Sequence, residues 1–296
     1  GEVWENGHRA YVTDSAMMLE WSDTTDLTYM HADSLWAEEI PFTTYSLIER
    51  DSILVDSVMT AQMPDTIWRD TTYQQLRAFH NVRIFRSDMQ AVCDSARYHG
   101  KDSILTLFGL PICWNEDNQL SADQIDVYIK NQEVDYMHGV GNAIAIKREG
   151  IEEFNQLAGK EMFAYVRDRD IYLVDVQGNA ETVFYPQEDD GTYIGVNRTQ
   201  SSFVKLYLKD RKIDYVLFTT ATTGVMIPLD QALENERKLS GFFWAEEERP
   251  HSPEDIFSHP PRTVRPVAGT VSAAAEDEEE AEEDEEENKA TRRQNR

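Results

Sequence analysis

The sequence predicts an all-β, repeat-built fold, and two observations lead to that prediction. The first 228 residues consist of short alternating runs rich in Val, Ile, Tyr, Phe and Thr, with turn-forming pairs such as Asp-Ser and Gly-Asn about every ten residues. One segment of this part also recurs three times, which is the signature of stacked structural units. Long helical periodicity is absent from these residues, so strands are expected throughout.

The recurring segment occupies residues 128–137, 165–174 and 207–216. Each copy begins with Tyr, an aliphatic residue, a cation and then Asn or Asp, and continues through polar residues into a second apolar stretch. Asn and Asp tolerate the backbone conformations of tight turns, so the polar centre predicts a β-hairpin. One hairpin cannot bury its own apolar face, and the copies are therefore expected to stack against one another.

The strand that leads into each turn alternates between apolar and more polar residues, which predicts one buried and one wetter face. The predicted buried face carries Ile125, Val127 and Ile129 in the first copy, Met162, Ala164 and Val166 in the second, and Val204, Leu206 and Leu208 in the third. The same apolar surface is expected to continue upstream through Val82, Ile84, Leu105 and Leu107. Three stacked copies would give a continuous aliphatic floor.

The remaining segments complete the predicted organisation. Gly-Asn-Ala elements at 141–143 and 178–180 are expected to open new strands, and residues 37–76 have the character of an insertion. Repeats are predicted for residues 1–228. A short helical C-terminal cap is predicted for 229–257, with one helix beginning near Asp230 and another at Ser252-Pro253.

Residues 258–296 form an acidic tail that we expect to be disordered. The run Glu276–Glu287 holds eleven acidic residues, and the formal charge of the whole chain is -27. Such a surface repels a phosphate backbone, which argues against nucleic acid as a partner. Cys93 and Cys113 either pair in an oxidising compartment or serve as two small core residues, and the strand-like stretches around both favour the second interpretation.

The sequence lacks a recognisable catalytic constellation, so we interpret the protein as not an enzyme and expect no cofactor and no metal. The seven histidines are scattered, with no HExxH pattern, and no GxSxG is present. Asp135, Asp175 and Asp214 fall in the same part of the repeat, and aligned acids on stacked strands can act on sugars. A carbohydrate-active enzyme is therefore kept as the weakest hypothesis, behind the two non-catalytic functions described below.

The repeated Asp-Ser-apolar, Leu-x-Leu-x-Gly and Gly-Asn-Ala elements resemble the OstA-like proteins of the LptA family. Residues 31–37 and 103–111 show the same pattern, and 195–202 and 241–257 are similar to the longer OstA-like form. The resemblance covers roughly residues 1–257. Single motifs in it are weak, whereas their order along the chain is more specific. The acidic tail is not something the family needs.

The resemblance implies a β-jellyroll, a folded-over antiparallel sheet that is open along one side. It implies that the inward aliphatic residues named above line a groove for the lipid A acyl chains of lipopolysaccharide in the periplasm. It further implies joining to other β-jellyroll transport proteins, or to itself, by addition of edge strands. The chain starts at Gly1 without a methionine, so we expect a leader to have been removed or truncated. It also begins in the middle of a repeat, so we expect upstream repeats to be missing. The alternative is a non-catalytic structural or interaction β-solenoid of the cell envelope with a closed interior.

Overall fold

The structure is a computed structural model that describes residues 3–5, 9–20, 27–48, 53–55, 58–60, 65–188 and 190–258. Most of these residues lie in strands, which confirms the all-β prediction. The strands in the first part are β1 (Val3–Glu5), β2 (Arg9–Glu20), β3 (Thr28–Ile48), β4 (Ile53–Val55), β5 (Val58–Thr60), β6 (Asp65–Phe85), β7 (Gln90–His99) and β8 (Ile104–Phe108). Those that follow are β9 (Ile112–Asn115), β10 (Asn118–Ser121), β11 (Gln124–Lys130), β12 (Glu133–Arg148), β13 (Phe154–Arg167), β14 (Asp170–Phe184), β15 (Gly195–Lys209), β16 (Lys212–Thr219) and β17 (Thr223–Pro228).

Within the described residues, fifteen strands form one antiparallel sheet and β4 pairs with β5 in a separate hairpin. Along the main path the order is β1-β2-β3-β6-β7-β8-β11-β12-β13-β14-β15-β16. The long strands change partners halfway along their length. The first half of β12 pairs with β11 and its second half with β10, and β15 pairs in the same way with β17 and then β16.

These exchanges divide the sheet into two halves that face each other. We call the half that contains β8, β11 and β16 the floor, and the half that contains β9, β10 and β17 the roof. Leu206 of the floor and Leu157 of the roof line one cavity, so the sheet folds over on itself.

The fold line passes through β-bulges, where one strand carries an extra residue and bends. Gly141 and Gly178 lie at these points with φ angles of 72° and 79°, a left-handed conformation that favours glycine. The Asn142 side chain donates a hydrogen bond to Asp123 of the neighbouring chain segment (3.0 Å), which ties adjacent bends together. The Gly-Asn-Ala elements therefore bend continuous strands, β12 and β14, and the prediction that they open new strands was wrong.

The predicted hairpin turns join β11 to β12, β13 to β14 and β15 to β16. Both central residues of each turn have positive φ angles, for example 52° at Asn131 and 65° at Gln132. That backbone matches the twist of two-residue hairpins and accounts for the Asn and Asp at the first turn position.

The segment 37–76, interpreted as an insertion, contains an extension of the sheet. β3 and β6 remain paired from Tyr29 opposite Phe85 to Ile48 opposite Asp65, well past the ends of their neighbours. The described part of this β3–β6 extension carries exposed aromatic rings. The ring centroids of Tyr45 and Trp68 are 5.4 Å apart.

The chain after β17 crosses the outer surface of the roof as a strap, residues 229–258. It contains α1 (Glu234–Arg237) and two 3-10 helices, Glu246–Glu248 and Glu254–Phe257, joined by extended segments. Apolar side chains of the strap, including Leu239 and Ala245, are buried against the outward side chains of the roof strands. The predicted disordered tail, residues 258–296, lies outside the described residues except for Ser258.

Candidate lipid-binding groove

The floor presents two rows of residues to the interior, each crossing eleven strands in direct register, and all of them carry side chains that are apolar or aromatic except Gly139. The first row is Ala10, Ala37, Leu76, Tyr98, Leu105, Val127, Met137, Ala164, Val174, Leu206 and Val216. The second row is Val12, Leu35, Ala78, Ala96, Leu107, Ile125, Gly139, Met162, Val176, Val204 and Phe218. Ten strand spacings make each row about 48 Å long.

The roof supplies a matching row on the opposite side of the interior. It runs through Met18, Met30, Ile84, Ala91, Cys113, Leu120, Ala145, Leu157, Thr182, Thr199 and Gly224. None of these residues is charged. Burial raises the pKa of the Cys113 thiol to about 12, as expected for a thiol in a low-dielectric interior. Cys93 and Cys113 are both buried and are not joined in a disulfide, in agreement with two small core residues.

Three cavities of about 650, 320 and 220 Å³ follow one another between floor and roof. Met89 lines all three, and each shares further residues with the next, such as Val134 and Ile171. The largest lies toward β2 and β3, and the smallest toward β15 and β16. Together they form an open space along the interior, which we call the groove.

The predicted lining residues all lie on or beside this interior surface. Ile84 lies in the roof row, so the prediction that it continues the floor was wrong. Those that are fully buried in the shared core are Val82, Ile84, Leu107, Ile125, Val127, Met162, Ala164 and Val204. Those that are half-buried beside the groove are Leu105, Ile129, Leu206 and Leu208. Val166 differs, because it lies at the mouth, where it lines the 320 Å³ cavity together with charged residues of the hairpin turns. Whether any of them contacts lipid stays a prediction.

The groove opens between the hairpin turns of the floor and the connections of the roof. At the β15–β16 end an ion pair spans this mouth, since the Arg211 guanidinium contacts Glu116 of the β9–β10 turn. Arg211 also pairs with Asp170 of the adjacent hairpin (2.9 Å). Side-chain exposures of 60% for Arg211 and 49% for Glu116 keep this contact in solvent. It therefore positions the β15–β16 and β9–β10 turns relative to each other more than it stabilises the fold.

The outer face of the floor carries an aromatic row that sequence reasoning did not single out as a unit. Tyr128, Tyr136 and Tyr165 lie directly opposite one another, and Tyr207 faces Tyr215 two strands further on. The rings of Tyr128 and Tyr136 stack 4.1 Å apart, and burial together with neighbouring phenols raises the pKa of Tyr136 to about 12. The Tyr that begins every repeat was a signal for this row, because one position in stacked repeats must form a line.

The strap is held by side chains that each bind its backbone, a second feature that the sequence did not reveal. Gln119 donates to the Phe243 carbonyl (2.6 Å) and accepts from the Ala245 N–H (2.9 Å). Gln156 makes the same two-sided contact with Arg237 and Leu239, at 2.7 Å for each bond.

The three aspartates considered for sugar chemistry are not brought together. Asp175 pairs with Lys205 on the outer face (3.1 Å). Asp135 and Asp214 lie on β12 and β16, four strand spacings or about 19 Å apart. In the described part of the chain, no three His, Cys, Asp or Glu side chains are placed to hold a metal ion. No helix among the described residues is long and apolar enough to cross a membrane.

No family model matches the sequence, and no curated protein matches it. Among solved structures the chain is similar to LptH of Pseudomonas aeruginosa, described as the LptA-homologous periplasmic component of the lipopolysaccharide transport device. The two chains are 13% identical, and the TM-score is 0.38. The similarity covers 48% of this chain and 99% of LptH. By its description, LptH belongs to the family that the sequence resembles.

Proposed function

We propose that this protein binds lipopolysaccharide in the periplasm and carries or bridges it toward the outer membrane. The observation that supports the proposal is the groove, whose facing rows of uncharged, mostly apolar residues cross eleven strands and enclose three successive cavities. The choice of lipopolysaccharide among amphiphiles comes from the resemblance to OstA-like proteins. Lipid A acyl chains would lie along the groove while the sugar part stays in solvent at the mouth.

The groove suits a carrier because acyl chains need apolar contact and no chemistry. Each methylene transferred from water gains about 0.8 kcal/mol, so a few chains suffice for tight retention. Because no charged residue interrupts the rows, a chain can move from one strand to the next along them. A lipid held this way can be passed along a continuous surface without a catalytic residue.

We further propose that the β16 and β17 edge is where another β-jellyroll protein, or a second copy, adds its strand. Among the described strands, each of these two pairs with β15 alone, so the outer backbone groups of both halves are open. Tyr215, Leu217, Val225 and Met226 are about half exposed along this edge. Strand addition here would extend floor and roof together and so lengthen the groove.

Site-specific photocrosslinking in cells that make lipopolysaccharide tests the proposal. A photoreactive residue at Leu206, which points into the groove, is expected to form lipopolysaccharide adducts. The same residue at Tyr207, one position along β15 on the outer face, should not. Leu105 and Thr106 provide a second inner and outer pair near the 650 Å³ cavity. No adduct at either inner position in folded protein would favour the closed structural module instead.

A further inference from the structure

The third hairpin departs from the other two at one register position. Lys130 lies directly opposite Glu133 in the first hairpin, and Arg167 lies opposite Asp170 in the second. Both are pairs of opposite charge. In the third hairpin Lys209 lies directly opposite Lys212. Like charges that face each other across two strands are destabilising, so this pair needs a reason that the other copies do not.

The two lysines lack ion-pair partners among the described residues. Both side chains are exposed. Asp210 lies in the turn between them, and the nearby Asp170 and Glu116 carboxylates are engaged by Arg211. The turn thus holds three cations and one acid in a chain whose formal charge is -27.

The lysine pair lies immediately outside the groove. Leu208 and Ile213, the pair next to it along the strands, line the 220 Å³ cavity. A chain in that cavity that leaves past Leu208 and Ile213 emerges beside the two ammonium groups. An amphiphile with an acyl chain and an anionic head matches both surfaces at once.

We propose that Lys209 and Lys212 form an anion site for the phosphate of the lipid whose acyl chains occupy the groove. This inference rests on the proposed function and adds to it the chemical class of headgroup that the β15–β16 end selects. The two ammonium groups donate hydrogen bonds to phosphate oxygens, and the bound anion removes the repulsion between them. The third hairpin lacks the opposite-charge pair of the other two because it is the hairpin that holds the headgroup.

A loading competition tests the site with lipids that differ only in the phosphate. The protein is offered equal amounts of dioleoyl phosphatidic acid and dioleoylglycerol in neutral-detergent micelles, and mass spectrometry measures the ratio bound. We expect enrichment of phosphatidic acid by about fivefold, which corresponds to about 1 kcal/mol. The enrichment should fall as salt is added, because the site is exposed.

The decisive variant is Lys212→Glu, which restores the opposite-charge pattern of the other two hairpins. It should lose the enrichment while total lipid loading stays unchanged and the midpoint of urea unfolding does not decrease. Lys160→Glu is the matched control, since it makes the same charge change at another exposed lysine. Lys160 lies seven residues, or about 23 Å along β13, before Arg167, which is the counterpart of Lys209 in the second hairpin. That variant should keep the enrichment.

The outcomes separate this proposal from the function on which it rests. Equal uptake of both lipids by the unmodified protein, or unchanged enrichment in Lys212→Glu, would overturn the anion site and leave the groove intact. Uptake of neither lipid would overturn the proposed function itself. Excess inorganic phosphate should leave the enrichment in place, because the acyl chain holds the lipid phosphate at high local concentration. Loss of enrichment under that condition would assign the site to free phosphate.

Discussion

At the scale of single residues, alternation along a strand decides which side chains enter the groove and which face solvent. Ala164 and Tyr165 are neighbours on β13, yet the first is buried in the floor and the second belongs to the outer aromatic row. This division could be predicted from the sequence, because it depends only on the period of a strand. The same alternation puts Val166 on the inner face, but it did not show that this end of β13 lies at the mouth beside charged turn residues.

Ala164→Trp is expected to reduce lipid loading by more than half without any change of charge. Ala164 lines the 220 Å³ cavity, so an indole there occupies space that an acyl chain would use. The free energy of unfolding should fall by no more than the roughly 1–3 kcal/mol of an overpacked interior. Tyr165→Trp is the control on the outer face. Full loading of Ala164→Trp in the phosphatidic acid assay would show that lipid does not use this cavity.

At the scale of elements, short-range features were predictable and long-range ones were not. The three hairpins follow from turn residues and flanking alternation within ten positions. The strap depends on contacts such as Gln119 with Ala245, 126 residues apart, which leave no local pattern. The Gly-Asn bends lie between these cases. The residue types predicted a left-handed backbone conformation at these positions, but they did not show that the strand continues through the bend.

Gln119→Ala should lower the free energy of unfolding by about 2–4 kcal/mol. The substitution leaves a strap carbonyl and a strap N–H without their partner, and an unsatisfied buried group costs about 1–3 kcal/mol. Gln177→Ala, on the outer face of β14, is the matched control and should stay within about 0.5 kcal/mol. Urea unfolding at equilibrium measures both. Equal, small effects would mean that apolar contacts alone hold the strap.

At the scale of the whole molecule, one folded sheet gives three different surfaces. The interior carries rows of mostly apolar side chains, the roof is covered by the strap, and the last strands remain open at their edges. A sheet closed into a barrel would lack such edges, and an uncovered roof would expose a second apolar face. The covered roof and the open edge of β16 and β17 agree with the proposal that a partner strand adds there.

Leu217→Lys is therefore expected to prevent end-to-end association while leaving the single molecule folded. Leu217 is 49% exposed on β16, and a lysine on an edge strand disfavours the approach of another strand because its charge would be desolvated. The control is Ile151→Lys, a similar change at a residue 85% exposed in the connection after β12. Light scattering over a range of concentrations should show that the unmodified protein and Ile151→Lys gain mass, whereas Leu217→Lys does not. Equal association of all three would place the contact between molecules elsewhere. Association would then not extend the groove past β16 and β17, and its length would be that of a single molecule.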